Sequence, residues 1–228
     1  MIPTKPLGGY NWTITARLML SAYSYRHLRA FSCDMNTTCL VCDIPTSTKC
    51  ARCKSVYYCS KAHIAQDWLT HKTYCKRVSA AGINTFDAIL FGANETEPRL
   101  IKLPWSYAPR DVGDASWQKL DYEPWFDGKD HCIRTMYVQR FGCLNGPPLG
   151  RTLVVLYDDY FSINGSPINR CIQTVTRGND VHPWAGNILA LREQRMASDL
   201  YNDAVMEEDL APLIRYFEDY GKGQVAAR

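Results

Sequence analysis

Eight soft side chains fall into four short pairs between positions 39 and 75: Cys39-x2-Cys42, Cys50-x2-Cys53, Cys59-x3-His63 and His71-x3-Cys75. In C-x2-C the chain turns so that both sulfurs aim into one tetrahedron. In C-x3-H and H-x3-C the two ligands lie one helical turn apart on the same face. Eight such ligands fill two four-coordinate Zn2+ shells with none left over, so neither shell keeps a position for an activated water. That pattern belongs to structural zinc rather than catalytic zinc. Each site would hold three thiolates and one neutral imidazole, a net charge of −1. Lys49, Arg52, Lys54, Lys61, Lys72, Lys76 and Arg77 surround the ligands against Asp43 and Asp67, a surplus that compensates anionic zinc clusters and need not signal nucleic acid.

The chain has 228 residues, of which 46% are hydrophobic and 21% charged, with 26 basic against 23 acidic residues. These values suit a folded protein and exclude wholesale disorder, collagen and a coiled-coil rod. No apolar run approaches the ~20 residues of a spanning helix, so no membrane partner is expected. Seven of the ten cysteines crowd between Cys33 and Cys75. No basic-then-apolar leader is visible at the start, so the cysteines read as metal ligands in a reducing compartment, cytoplasmic or nuclear. The acid-free, Arg- and Ser-containing opening leaves a mitochondrial address as a minor alternative.

The spacing resembles the MYND zinc finger from Cys39 to Cys75. The tail YCSKAH…DW…HK…C matches that family's pattern at Tyr58, Cys59, Ser60, Asp67, Trp68, His71, Lys72 and Cys75. The resemblance implies an interleaved arrangement, in which Cys39, Cys42, Cys59 and His63 hold one zinc and Cys50, Cys53, His71 and Cys75 the other. Spacing alone leaves a sequential pairing open. It also implies a protein or peptide partner, since MYND fingers bind short proline-containing peptides on a surface that includes the Trp and a neighbouring Gln. Trp68 is carried over as the candidate peptide contact; its alternative is packing against the zinc-bound helix. Two positions depart from the pattern: His63 stands where many members have Cys, and Ile64 where Gln is usual. Phrases such as FDAILF…PRLIKLPW and QRFGCLNGPPLGRTLVVLYDD resemble the C-terminal region of a basidiomycete group of MYND-finger proteins, a region that brings no activity with it.

The elements that must position these residues read as an α+β chain: a small two-zinc finger followed by a mixed, mainly antiparallel β domain with a C-terminal helix. Residues 1–33 form an N-terminal helical segment, 34–78 the finger and 82–221 the α+β domain. The finger has few adjacent apolar residues and cannot build a core of its own. Thr85–Phe91 and Arg99–Leu103 read as a hairpin, and His131–Phe141, Thr152–Tyr157, Cys171–Thr176 and Asn187–Leu191 as further strands. The continuous apolar run TLVVLY is expected at the sheet's centre. Residues 105–130 read as irregular, anchored by Trp105, Trp117, Tyr122 and Trp125, with a short helix at Ala115–Leu120. EEDLAPLIRYFEDYG carries acids at its start and Gly221 at its stop, and reads as the closing helix.

Beyond the finger, chemistry-bearing groups are sparse. Asp158-Asp159 read as a turn pair, because strand neighbours diverge. In Asp130-His131-Cys132 nucleophile and base types diverge for the same reason, and His182 reads as a packed loop histidine. G-x-S-x-G, H-E-x-x-H and phosphate-loop patterns are absent. A lysine methyltransferase with an inserted finger would need a glycine-rich cofactor segment before Cys39 and an Asn-His-Cys type segment after it; Gly8-Gly9 does not suffice and no Asn-His follows. The reading is therefore a non-enzymatic, zinc-dependent interaction protein, with methyltransferase and nucleic-acid binder as the disfavoured alternatives.

Overall fold

The computed structural model describes residues 38–109, 117–126, 130–143, 146–194 and 200–222. The expected N-terminal helical segment lies outside them. The long helix α1 (Lys61–Ala81) closes the finger. Gly82, at φ 59°, ends it in a conformation that side chains with a Cβ rarely adopt. The body carries strands β1 (Thr85–Phe91), β2 (Arg99–Ala108), β3 (Trp117–Leu120), β4 (Ile133–Arg140), β5 (Pro148–Asp158), β6 (Ile188–Glu193) and β7 (Tyr201–Asn202). Helices α2 (Arg170–Val175) and α3 (Met206–Asp219) complete it. The sheet order is β3-β2-β1-β6-β5-β4, with β7 also paired to β6. Every strand pairing among the described residues is antiparallel.

The run TLVVLY sits inside β5, between β4 and β6, as its continuous hydrophobicity requires. Its residues alternate between two cores. Leu153 and Val155 face Ile89, Phe91, Ile172, Trp184, Leu213 and Phe217 on the helix-covered side. Val154 and Leu156 face Ala88, Leu90, Ile101, Leu103, Leu120 and Phe126 on the other. On that second side a single 3-10 turn, Glu123–Trp125, lies against the core among the described residues. β3 and β4 occupy opposite edges, and Tyr122, Trp125 and Phe126, which follow β3, pack across the second core between them.

Two local expectations are corrected. The expected strand Cys171–Thr176 is instead helix, which spans Arg170–Val175 and ends at Thr176. Its β-branched residues suit a strand, but the Asn169 side chain caps the helix by accepting from the Ile172 amide at 2.8 Å. The Thr174 hydroxyl donates to the Arg170 carbonyl and that of Thr176, just past the helix, to the Ile172 carbonyl. The expected helix at Ala115–Leu120 is strand from Trp117 onward, recruited by an extension of β2 that runs past Leu103. Pro104 stands where β2 changes partner, pairing with β1 up to that residue and with β3 from Trp105, so its missing N–H breaks no ladder.

Pro212 inside α3 deprives the Glu208 carbonyl of its helical donor. Arg151 of β5 supplies one: its Nη2 donates to the Glu208 carbonyl at 2.7 Å, while its Nε reaches Asp209 at 2.8 Å. Asp209 is fully buried, and it also accepts from Arg192 Nε and the Val205 amide. Asp209→Ala leaves two guanidiniums without their shared carboxylate and should cost about 3–5 kcal/mol. Thermal unfolding would register this as a lowered midpoint; an unchanged midpoint would show the network to be dispensable.

Candidate metal centre

Two turns and one helix build the finger. After each C-x2-C pair the chain enters a left-handed residue, Asp43 (φ 58°) and Lys54 (φ 53°). Their amides return to the Cys39 and Cys50 carbonyls, both at 2.9 Å. The two turns are tied together through residues 57 and 58: the Leu40 amide donates to the Tyr57 carbonyl and the Tyr58 amide to the Thr48 carbonyl. Ser60 then caps α1 by accepting from the His63 amide. The helix carries His63 in its first turn and His71 and Cys75 one turn apart further on, as the x3 spacing requires.

The donor atoms converge in two interleaved fours. In each of the sets Cys39, Cys42, Cys59, His63 and Cys50, Cys53, His71, Cys75, all donor atoms lie within 4.8 Å of one another. Tetrahedral zinc with Zn–S bonds of about 2.3 Å requires sulfurs about 3.8 Å apart and sulfur–nitrogen separations of about 3.5 Å. The observed separations are 3.6 Å for Cys42–Cys59 and 3.8 Å for Cys50–Cys75. His63 Nδ1 is 3.4 Å from Cys39 Sγ and 3.1 Å from Cys59 Sγ, and His71 Nε2 is 3.6 Å from Cys53 Sγ. The donor sets fit two Zn2+ ions, and the histidines present opposite ring nitrogens to them.

Electrostatics argue the same way. Burial opposes ionisation of Cys39, yet hydrogen bonds from the backbone of Cys59, Val41 and Cys42 outweigh it and bring this thiol down to about 6. Cys50 is lowered in the same manner, by backbone N–H groups of Cys53 and Arg52 acting against burial. The next thiols resist. Cys53 is pushed up to about 12, first by burial and then by the charges of Cys50 and Cys75. Cys75 is raised by burial and by its contact with Cys50. Cys59 is raised to about 11 by desolvation and by hydrogen bonds to Cys42 and Cys39. Each set therefore holds one thiol that ionises readily beside at least one that resists, an imbalance that a divalent cation at the centre reverses.

The finger's own core consists of Val56, Tyr58, Tyr74, Val78 and four of its buried cysteines. Its remaining support comes from the body. β3 leaves the outer edge of β2 uncovered before Trp105, and the finger occupies it there. The Lys102 amide donates to Ser55 Oγ and to the Tyr74 hydroxyl, both at 3.0 Å, and that hydroxyl donates to the Lys102 carbonyl at 3.0 Å. The Tyr74 ring meets Trp125 edge-on at 4.8 Å, and Arg77 pairs with Asp121. Sequence reasoning singled out Trp125 as an anchor but missed Ser55 and Tyr74. Tyr74 lies at helical spacing from His71 and Val78, a pattern that marks the inward face of α1.

Trp68 does two things at once: its ring lies 6.1 Å from that of His71, yet it remains 40% exposed. Its neighbour Leu69, which drew no notice as sequence, is 78% exposed. Ile64, where the family pattern has Gln, packs on the finger core. The other groups weighed from sequence serve the fold. Asp158 is buried and accepts from the Cys132 and Tyr160 amides, while Asp159 pairs with Arg134. His131 lies 3.3 Å from Glu123, and His182 is packed among Phe161, Trp184 and Tyr220.

Zinc bound in a small finger contributes about 10–16 kcal/mol, and this binding energy becomes folding energy. Excess EDTA should therefore abolish amide-exchange protection over residues 38–81 while strands β5 and β6 keep theirs. Undiminished protection in the finger after metal removal would contradict the assignment.

Comparison with known proteins places the same segment. The family model for the MYND finger matches residues 39–75. Ubiquitin carboxyl-terminal hydrolase 19 of Arabidopsis thaliana is 39% identical over 74 residues, which cover 29% of this chain and 11% of that protein. Tudor domain-containing protein 1 of Mus musculus is 44% identical over 43 residues, 19% of this chain and 4% of that one. The zinc finger MYND domain-containing protein 10 homolog of Drosophila melanogaster is 43% identical over 42 residues, 18% of this chain and 9% of that one. The chain thus spans about a tenth or less of the length of these relatives. No solved structure matches it. Residues 39–75 are a MYND finger, a zinc-binding protein-interaction module with two Cys3His sites, seated on an antiparallel α+β body.

Proposed function

We propose that this protein is a zinc-dependent adaptor whose finger receives a short proline-containing segment of a partner protein on the outward face of α1. Cys39, Cys42, Cys59 and His63 ligate one zinc, and Cys50, Cys53, His71 and Cys75 the other. The zincs hold the surface and take no part in chemistry. The observation that carries this reading is the exposure of Trp68 and Leu69 on a helix held in place by its metal ligands and by the body. A rigid, half-open indole offers a flat apolar contact at little entropic cost, and proline rings are complementary to it.

Local chemistry narrows the partner. The family's Gln position holds Ile64, which faces the finger core, so it does not supply the amide contact that relatives with Gln have available. Lys61 and Lys72, both exposed, lie on the same helical face as Trp68. A proline-containing segment with apolar residues and flanking acids fits this surface. The unoxidised thiols that ligation requires favour a reducing compartment, the cytosol or nucleus.

The test is affinity capture with the wild-type chain beside Trp68→Ala, followed by titration of the captured partner's segment as a synthetic peptide. Trp68→Ala should weaken binding by about 2 kcal/mol, ~30-fold in Kd, while the protein still holds two zincs. Equal affinity of the two proteins for the peptide would remove Trp68, and this face of α1, from the function.

A further inference from the structure

The two donor sets are alike in composition but not in surroundings. In the set Cys50, Cys53, His71, Cys75 all four residues are buried. Body contacts fall immediately beside its ligands. Ser55, two residues after Cys53, and Tyr74, next to Cys75, share the Lys102 backbone. The Tyr74 ring is backed by Trp125. In the set Cys39, Cys42, Cys59, His63 only Cys39 is buried; Cys59 is exposed and Cys42 and His63 are half-buried. Cys59 precedes the helix cap and His63 stands in the first turn of α1. Unwinding one turn at a helix end costs far less than opening a packed helix centre, and here it would withdraw two ligands together.

We infer that the two zinc sites are unequal: the outer site is exchangeable, giving up its ion to a competing ligand that enters at Cys59, whereas the inner site is a fastener that the body keeps shut. Zinc transfer needs an incoming donor to reach the ion while a resident one leaves. The outer set offers a solvent-exposed thiolate and a frayable helix end for this. The inner set offers neither until the contacts of Ser55 and Tyr74 with β2 have parted. Scarce zinc then strips the outer site first and leaves the finger docked on the body.

The inference rests on the two-zinc reading, which the zinc content of the purified chain checks by itself. Starting from protein with two zincs per chain, metal release is followed with a chromogenic chelator such as 4-(2-pyridylazo)resorcinol. Release should occur in two phases of one zinc each, the slow one about tenfold slower or more. Cys59→Ser should abolish the fast phase and leave the slow one. Tyr74→Phe, which removes the hydroxyl bonds to Lys102 without touching a ligand, should accelerate the slow phase alone. Loss of both ions in a single phase, or a slow phase indifferent to Tyr74→Phe, would overturn the inference. Should Cys59→Ser fail to fold, the Tyr74→Phe comparison decides by itself.

Discussion

Six sulfurs packed within a few ångströms of one another cannot all ionise unaided, and a finger whose core is largely made of them cannot close without a cation in each group. Backbone amides favour a thiolate at Cys39 and at Cys50. Burial and mutual repulsion resist ionisation at Cys53, Cys59 and Cys75. From this constraint follows the dependence of the finger, α1 included, on metal. The lysine- and arginine-rich surroundings follow as well, since they offset the anionic clusters. The rest of the finger contributes few apolar contacts, as expected for a segment too small to exclude water by itself.

The body answers a different constraint. Its strand order places β3 and β4 at opposite edges, and residues 121–126, which follow β3, lie across one face between them. That crossing carries Tyr122, Trp125 and Phe126 and does the work that helices do on the other side. Trp125 touches both this core and the finger's. The same crossing that covers the sheet therefore also receives the finger.

Much of this was legible as sequence, for identifiable reasons. Ligand spacing is local, so the eight donors and their two fours could be written down from residue types and a family pattern. The central place of TLVVLY followed from its unbroken hydrophobicity, and the closing helix from its apolar face and acidic start. What escaped depended on distant partners. Trp117–Leu120 has a composition suited to helix and becomes strand because β2 runs on to meet it. The run beginning at Cys171 has β-branched residues and becomes helix because Asn169 caps it. Pro212 leaves the Glu208 carbonyl of α3 without its helical donor; the substitute, Arg151, lies 61 positions earlier in the chain. The polar seat formed by Ser55, Tyr74 and Lys102 joins the finger to β2 with no motif to announce it.

That seat bears on where the chain can be divided. Residue 82 looks like a natural cut between two modules, since a glycine ends the helix there. Separation at that point would strip Lys102 of both hydrogen-bonding partners, where β3 does not cover β2, and uncover the indole of Trp125 beside it. An open backbone edge flanked by a bare aromatic ring invites a foreign strand to pair. The finger thus also serves as the cover of a sheet edge that would otherwise stand open.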